Sequence, residues 1–143
     1  MDIKKRLLPF ALTLLSAPIS ALPGFIPEGW QAHPPIHLKP GKATLTPSGL
    51  TPAQITKAYG FPSGFLGAGQ VIAIVDSHDN PNIEADLNVF STTFGLPACT
   101  TANGCFKKVY TGSTPPTGDT NWGLEIALDI EWAHAMAPLA KIV

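Results

Sequence analysis

The chain has 143 residues, a formal net charge of −1, and 13% charged against 45% hydrophobic residues. So sparse and balanced a charge, with no basic patch and no aromatics interleaved on a cationic face, excludes nucleic acid as a partner. Fifteen prolines and thirteen glycines point to long stretches that are neither helix nor central strand.

The first 21 residues have the organisation of a secretory signal peptide. Lys4, Lys5 and Arg6 form a basic start, Leu7 to Ile19 an apolar run, and Ser20-Ala21 a small-residue exit before Leu22. Pro9 and Pro18 interrupt a run too short to cross a bilayer comfortably. The processed chain is therefore expected to be secreted, with no stable membrane span. Cleavage removes three bases and one acid, leaving 6 against 9, a formal −3. Residues 22–49 follow as a Pro-rich leader containing Pro23, Pro27, Pro34, Pro35, Pro40 and Pro47. Its composition predicts an extended arm.

The folded part is expected over residues 50–143. Thr51, Pro52 and Gln54 occupy the N-cap, N1 and N3 positions of a capping box, with Leu50 and Ile55 placed for a hydrophobic staple. That helix is predicted to end near Tyr59, with Gly60 just beyond. Gly67-Ala68-Gly69 precedes the next apolar run instead of following a strand, so it is a turn and not a dinucleotide fingerprint. Gln70 to Val75 is a continuous β-branched run that predicts a strand buried on both faces. Asp76-Ser77-His78-Asp79-Asn80-Pro81 is turn chemistry. A second helix is predicted from about Pro81, with Ile83, Leu87, Phe90 and Phe94 at helical spacing and Gly95 as its stop.

Residues 96–121 read as loop, including a five-residue stretch between Cys99 and Cys105. In an exported chain that pair is most simply a local disulfide, contributing about 2–3 kcal/mol. A metal or redox role would need closer spacing or further ligands, and none is evident in the sequence.

The most informative stretch is Trp122 to Pro138. Leu124, Ile126, Leu128, Ile130 and Trp132 alternate with other residues at a strand-like period of two. Against this, the Ala, Leu and Glu content, the candidate caps Asp119, Thr120 and Asn121, and the stop at Pro138 predict a helix. As a strand, Glu125 and Asp129 would lie about 13 Å apart. As a helix, they stack one turn apart on one face, where at about 4 Å and an effective dielectric near 20 they repel by about 4 kcal/mol. Such a pair shares a proton readily and suits general acid–base chemistry under acidic conditions. We take the helix. Glu131 lies about 240° round from Glu125 and faces elsewhere. Trp122 and Trp132 read as core or helix-packing residues, and Asp76 as either a turn acid or one that supports the pair from behind. Asp76, His78 and Asp79 lack a fourth ligand for a metal site.

These segments resemble the sedolisin, or serine-carboxyl, peptidases, a branch of the subtilisin-like fold. The resemblance rests on Leu50-Thr-Pro-Ala-Gln-Ile-Thr-Lys-Ala-Tyr59-Gly, Gly69-Gln-Val-Ile-Ala-Ile-Val-Asp76, Asp79-Asn-Pro-Asn-Ile-Glu84-Ala-Asp86-Leu, Phe94-Gly-Leu-Pro97 and the run from Glu125 to Ile142. It implies an α/β fold: a partial subtilisin-like domain with a parallel sheet flanked by helices, truncated at the C-terminus. It also implies that Glu125 is the general base for a serine nucleophile and that Asp129 orients and charges it.

Such enzymes use a further aspartate at the oxyanion site, a serine within Gly-Thr-Ser-x-x-x-Pro, and a calcium site near their C-terminus. Ser113 lies in the wrong motif, Thr-Gly-Ser-Thr-Pro-Pro, so serine, oxyanion acid and calcium ligands are expected beyond Val143. The leader is also too short and too Pro-rich for the large folded propeptide of such enzymes. By the resemblance, the chain is an N-terminal fragment of a serine-type peptidase acting on peptide or protein substrates once completed, and inactive alone. The alternative is a secreted non-catalytic remnant or binding module of the same fold.

Overall fold

The structure, a computed structural model, describes residues 28–34, 47–62, 64 and 66–143. The expected signal peptide over 1–21 and most of the leader over 22–49 lie outside the described residues. The chain divides into two units, Met1–Gln31 and Ala32–Val143. Of the first, residues 28–31 are described, and they are exposed around a turn. Among the described residues all regular elements belong to the second.

Helix α1 spans Pro52–Ala58 and starts as its sequence demands. The Gln54 backbone N–H donates to Thr51 Oγ1 (3.3 Å), and the Thr51 N–H donates to Gln54 Oε1 (2.8 Å), a closed capping box. Leu50 remains 64% exposed, so the expected staple on Ile55 is not a buried contact. The helix closes at Tyr59, with Gly60 in the left-handed region at φ +66.

Strand β1 (Val71–Ile72) pairs in parallel with β2 (Lys141–Ile142), in register Val71↔Lys141 and Ile72↔Ile142. Hydrogen bonds run from Lys141 N–H to Gln70 O and from Ile74 N–H to Val143 O. The bonded stretch thus covers 70–74, close to the expected strand. Its burial differs from expectation: Val71 and Val75 are 60% and 92% exposed, while Ile72 and Ile74 pack on the core. Among the described residues the helices cover one face of the sheet only, so burial follows the strand's two-residue alternation. The segment around Phe106, expected to be loop, joins the other edge of β2: Ile142 N–H donates to Cys105 O (2.8 Å) and Lys107 N–H to Ile142 O (2.9 Å).

The turn before β1 requires its first glycine. Gly67 has φ +76, and a Cβ there would sit 2.9 Å from Ala137 Cβ and 3.0 Å from Ala140 Cβ.

Helix α2 (Ile83–Phe94) ends at Gly95, φ +67, and Leu96 N–H donates back to Ser91 O. Helix α3 (Thr120–Met136) is the predicted acid-bearing helix, capped by Asp119, whose carboxylate accepts from the Asn121 and Trp122 N–H groups, both at 2.9 Å. It packs against α1, α2 and β2. Ile126 and Ile130 of α3 meet Ile83 and Leu87 of α2, Ile142 of β2, Cys99 and Phe106 in the core. Three helices on a two-stranded parallel sheet are compatible with the α/β class. Among the described residues no helix is long and apolar enough to cross a membrane.

Candidate active site

The parallel pairing decides where the acids meet. Helix α3 leads directly into β2 and so runs antiparallel to it, which brings the first half of α3 to the carboxyl end of β1. Ligand sites in parallel sheets gather at that end. Asp76 lies four residues past Ile72, at this end of the strand. Glu125 and Asp129 lie one turn apart on α3, both partly buried. Their helical spacing is therefore as expected.

Asp76, read on the sequence as a turn acid or a supporting one, lies near enough to feel both charges. Burial raises its carboxyl above the ordinary 3.8, the negative charge of Asp129 raises it further, and that of Glu125 adds to the same direction. Asp76 Oδ2 and Glu125 Oε2 are both buried without a hydrogen-bond partner within the described residues. Buried polar atoms are nearly always satisfied, so these two carboxylate oxygens are left for a partner that the described residues do not supply. The signal for Asp76 in the sequence is its place at the end of an apolar β-branched run, and the parallel pairing sets that end beside α3.

The surroundings separate this cluster from two structural networks. Asp79, 8% exposed, forms an ion pair with Lys108. Burial pulls the Lys108 ammonium down, but hydrogen bonding and charge from Asp79 and Tyr110 outweigh it and raise it overall. His78, left-handed at φ 61, donates from Nδ1 to Thr117 O (3.2 Å) and stacks on Trp122. Asp79 and His78 are thus held by their own partners. Asn80 ties the turn to both helices: its Nδ2 donates to Asp86 Oδ2 and to Gly123 O, each 3.2 Å, and its Oδ1 accepts from Asn82 N–H. A cavity of about 100 Å³ opens beside Asp76, between Ile74, Tyr110 and Ile126. On the other side of α3, Asp129 borders an apolar groove with Ile55, Tyr59, Leu128 and Trp132. Trp132 packs edge-on against Phe90 of α2 and so serves helix packing, whereas Trp122 Nε1–H donates to Ala32 O (3.1 Å) outside the helices.

With this geometry in view, comparison with known proteins gives a similarity to kumamolisin of Bacillus sp. (strain MN-32), a sedolisin-family peptidase. Identity is 37% over 100 residues, which are 69% of this chain and 17% of kumamolisin. The chain thus spans about a sixth of that relative's length, and the likeness supports the sedolisin family at a coarse level. No family model matches, and no solved structure matches.

The Cys99–Cys105 disulfide is formed, with Cα atoms 4.9 Å apart. Its turn is pinned by Glu84, whose carboxylate accepts from the Thr101 N–H (2.8 Å) and hydroxyl (2.9 Å). His134, near the end of α3, is buried beside it. Among the described residues, Cys99, Cys105 and His134 form the one group of three metal-ligating residue types whose ligand atoms lie within 4.8 Å of one another, although the disulfide-bonded sulfurs are not thiolates and do not ligate in this state. Sulfur and nitrogen donors do not suit calcium, which takes oxygens, so the calcium implied by the resemblance has no fitting site in the described part.

Proposed function

We propose that this chain is the base-bearing portion of a secreted, sedolisin-like serine peptidase that works at acidic pH. The observation that carries the reading is that Glu125 and Asp129 stand one turn apart on α3, with Asp76 near enough past β1 for both charges to raise its carboxyl; the kumamolisin similarity supports it. In this reading the subtilisin-like arrangement is completed by further chain, which supplies the serine, the oxyanion aspartate and the oxygen ligands for calcium.

Glu125 then acts as general base. Its unpaired Oε2 takes the proton of the serine hydroxyl as that oxygen attacks the peptide carbonyl, and later returns it to the leaving amine. Asp129, one turn on, takes the role of orienting Glu125 that the resemblance implies. Asp76, raised by burial and by the other two acids, stays neutral further up the pH scale than an ordinary aspartate and limits the charge packed into the cluster. The chain by itself performs no hydrolysis, because the nucleophile is missing: Ser113 lies exposed in the loop before α3.

The test is Glu125→Gln in a full-length enzyme carrying this sequence. Loss of the base should lower turnover at least about 10²-fold, with an unchanged far-UV circular dichroism spectrum. Turnover at the parent level would remove Glu125 from the mechanism.

A further inference from the structure

On the sequence, metal chemistry at Cys99 and Cys105 lacks a third ligand. The fold supplies one from the far end of α3. His134 is completely buried, and one ligand atom from each of Cys99, Cys105 and His134 lies within 4.8 Å of the other two. The imidazole is also oriented. Its Nε2–H donates to Pro97 O at 2.8 Å, since a carbonyl can only accept. That assigns the lone pair to Nδ1, which is buried with no hydrogen-bond partner.

A ring whose one N–H is fixed by a backbone carbonyl while the other nitrogen is left free is the arrangement that metal-ligating histidines use. A histidine buried merely for packing would be expected to satisfy both nitrogens.

Zinc sets the separations that the reduced site has to reach. With Zn–S near 2.3 Å and Zn–N near 2.0–2.1 Å, tetrahedral angles place two sulfurs about 3.8 Å apart and sulfur and nitrogen about 3.5 Å apart. The 4.8 Å limit on the three ligand atoms leaves room for both separations, but the bonded sulfurs reach theirs only after reduction. Opening the disulfide needs the sulfurs to part by less than 2 Å or so on these bond lengths. Cys99 and His134 are locked in the core, while Cys105 is only partly buried at the end of an exposed turn over residues 101–104. Cys105 is the ligand free to adjust, and its exposed side admits a water as fourth ligand.

We propose that the reduced chain binds one Zn²⁺ through Cys99 Sγ, Cys105 Sγ and His134 Nδ1, so that this corner of the fold alternates between a disulfide and a zinc site. A dithiol reductant delivers two electrons and two protons to the Cys99–Cys105 bond and becomes a disulfide itself. Zinc then displaces both thiol protons to solvent and accepts the Nδ1 lone pair. In either state the 99–105 turn is closed, and in the zinc state it is also tied directly to α3. This inference does not depend on the peptidase reading.

The experiment is Co²⁺ titration of the 143-residue chain, with and without prior reduction by a water-soluble phosphine, followed by displacement with Zn²⁺. The reduced chain should take up one equivalent, with thiolate-to-cobalt charge transfer and the visible bands of a tetrahedral site; the oxidised chain should take up none. His134→Gln should weaken binding by at least about tenfold, and Cys105→Ser should reduce the charge-transfer intensity. Because His134 lies in the core, a second readout uses the unsubstituted protein: ¹⁵N spectra of the imidazole should show Nδ1 moving on zinc addition while Nε2 keeps its proton. Equal uptake by oxidised and reduced chains, no uptake after reduction, or an unmoved Nδ1 would each overturn the proposal.

Discussion

Glu131 gives the sharpest test of how α2 and α3 pack. It lies on α3 away from Glu125, half-buried against α2, and its carboxyl is pushed up to about 7 from an ordinary 4.5, first by burial and then by the charge of Asp86 across the helix interface. Between those two pH values the folded chain holds a proton that the unfolded chain has released. Stability therefore falls as pH rises from about 4.5 to about 7, and stays reduced above it. The full gap would correspond to about 3 kcal/mol. Solvent reaches the exposed half of the side chain and screens the interaction, so about 1–2 kcal/mol is expected. Glu131→Gln removes the charge and keeps the shape. The variant should match the parent at pH 4.5 and exceed it at pH 8 by that amount, or roughly 4–8 °C in Tm. Thermal unfolding followed by circular dichroism at pH 4.5, 6 and 8 measures this directly. Taking the difference between variant and parent cancels other titrating groups, including Asp76. A difference independent of pH, or a variant less stable than the parent at pH 8, would refute the placement of Glu131 beside Asp86.

Three further outcomes are expected. In Asp129→Asn, the Asp76 carboxyl, followed by ¹³C NMR, should titrate lower than in the parent and closer to 3.8, because its larger charged neighbour is gone; an unmoved titration would separate Asp76 from the acid pair. Leu87→Ala empties a fully buried site in the centre of the core and should cost about 2–5 kcal/mol in urea unfolding, whereas a loss under 1 kcal/mol would show that α2 is not seated on α3 as described. Gly67→Ala and Gly69→Ala share φ +76, but only the first drives a Cβ into Ala137 and Ala140. Both pay a left-handed penalty of about 1 kcal/mol, so Gly67→Ala should be the more destabilising by a further 1–3 kcal/mol or so; equal losses would show that the turn does not press on the end of α3.

Much of the local structure is legible in the sequence, because its causes lie within a few residues. The capping box at Thr51 and Gln54, the stop at Gly95, the cap at Asp119 and the disulfide over a five-residue loop each involve neighbours that must meet whatever the rest of the chain does. The helical spacing of Glu125 and Asp129 belongs to the same class, although a two-residue alternation of apolar side chains competes with it. Helix formers and a strong N-cap decide that contest. What only the tertiary structure settles depends on which strand lies beside which. Parallel pairing of β1 with β2 brings Asp76, some fifty residues earlier, to the acid face of α3. Packing of α3 on the core carries His134 to the disulfide, and among the described residues no helix covers the sheet face on which Val71 and Val75 stay exposed. Local sequence sets backbone geometry through short-range hydrogen bonds and sterics, whereas the identity of a distant neighbour is fixed by burial of the whole core, and it is distant neighbours that assemble both sites.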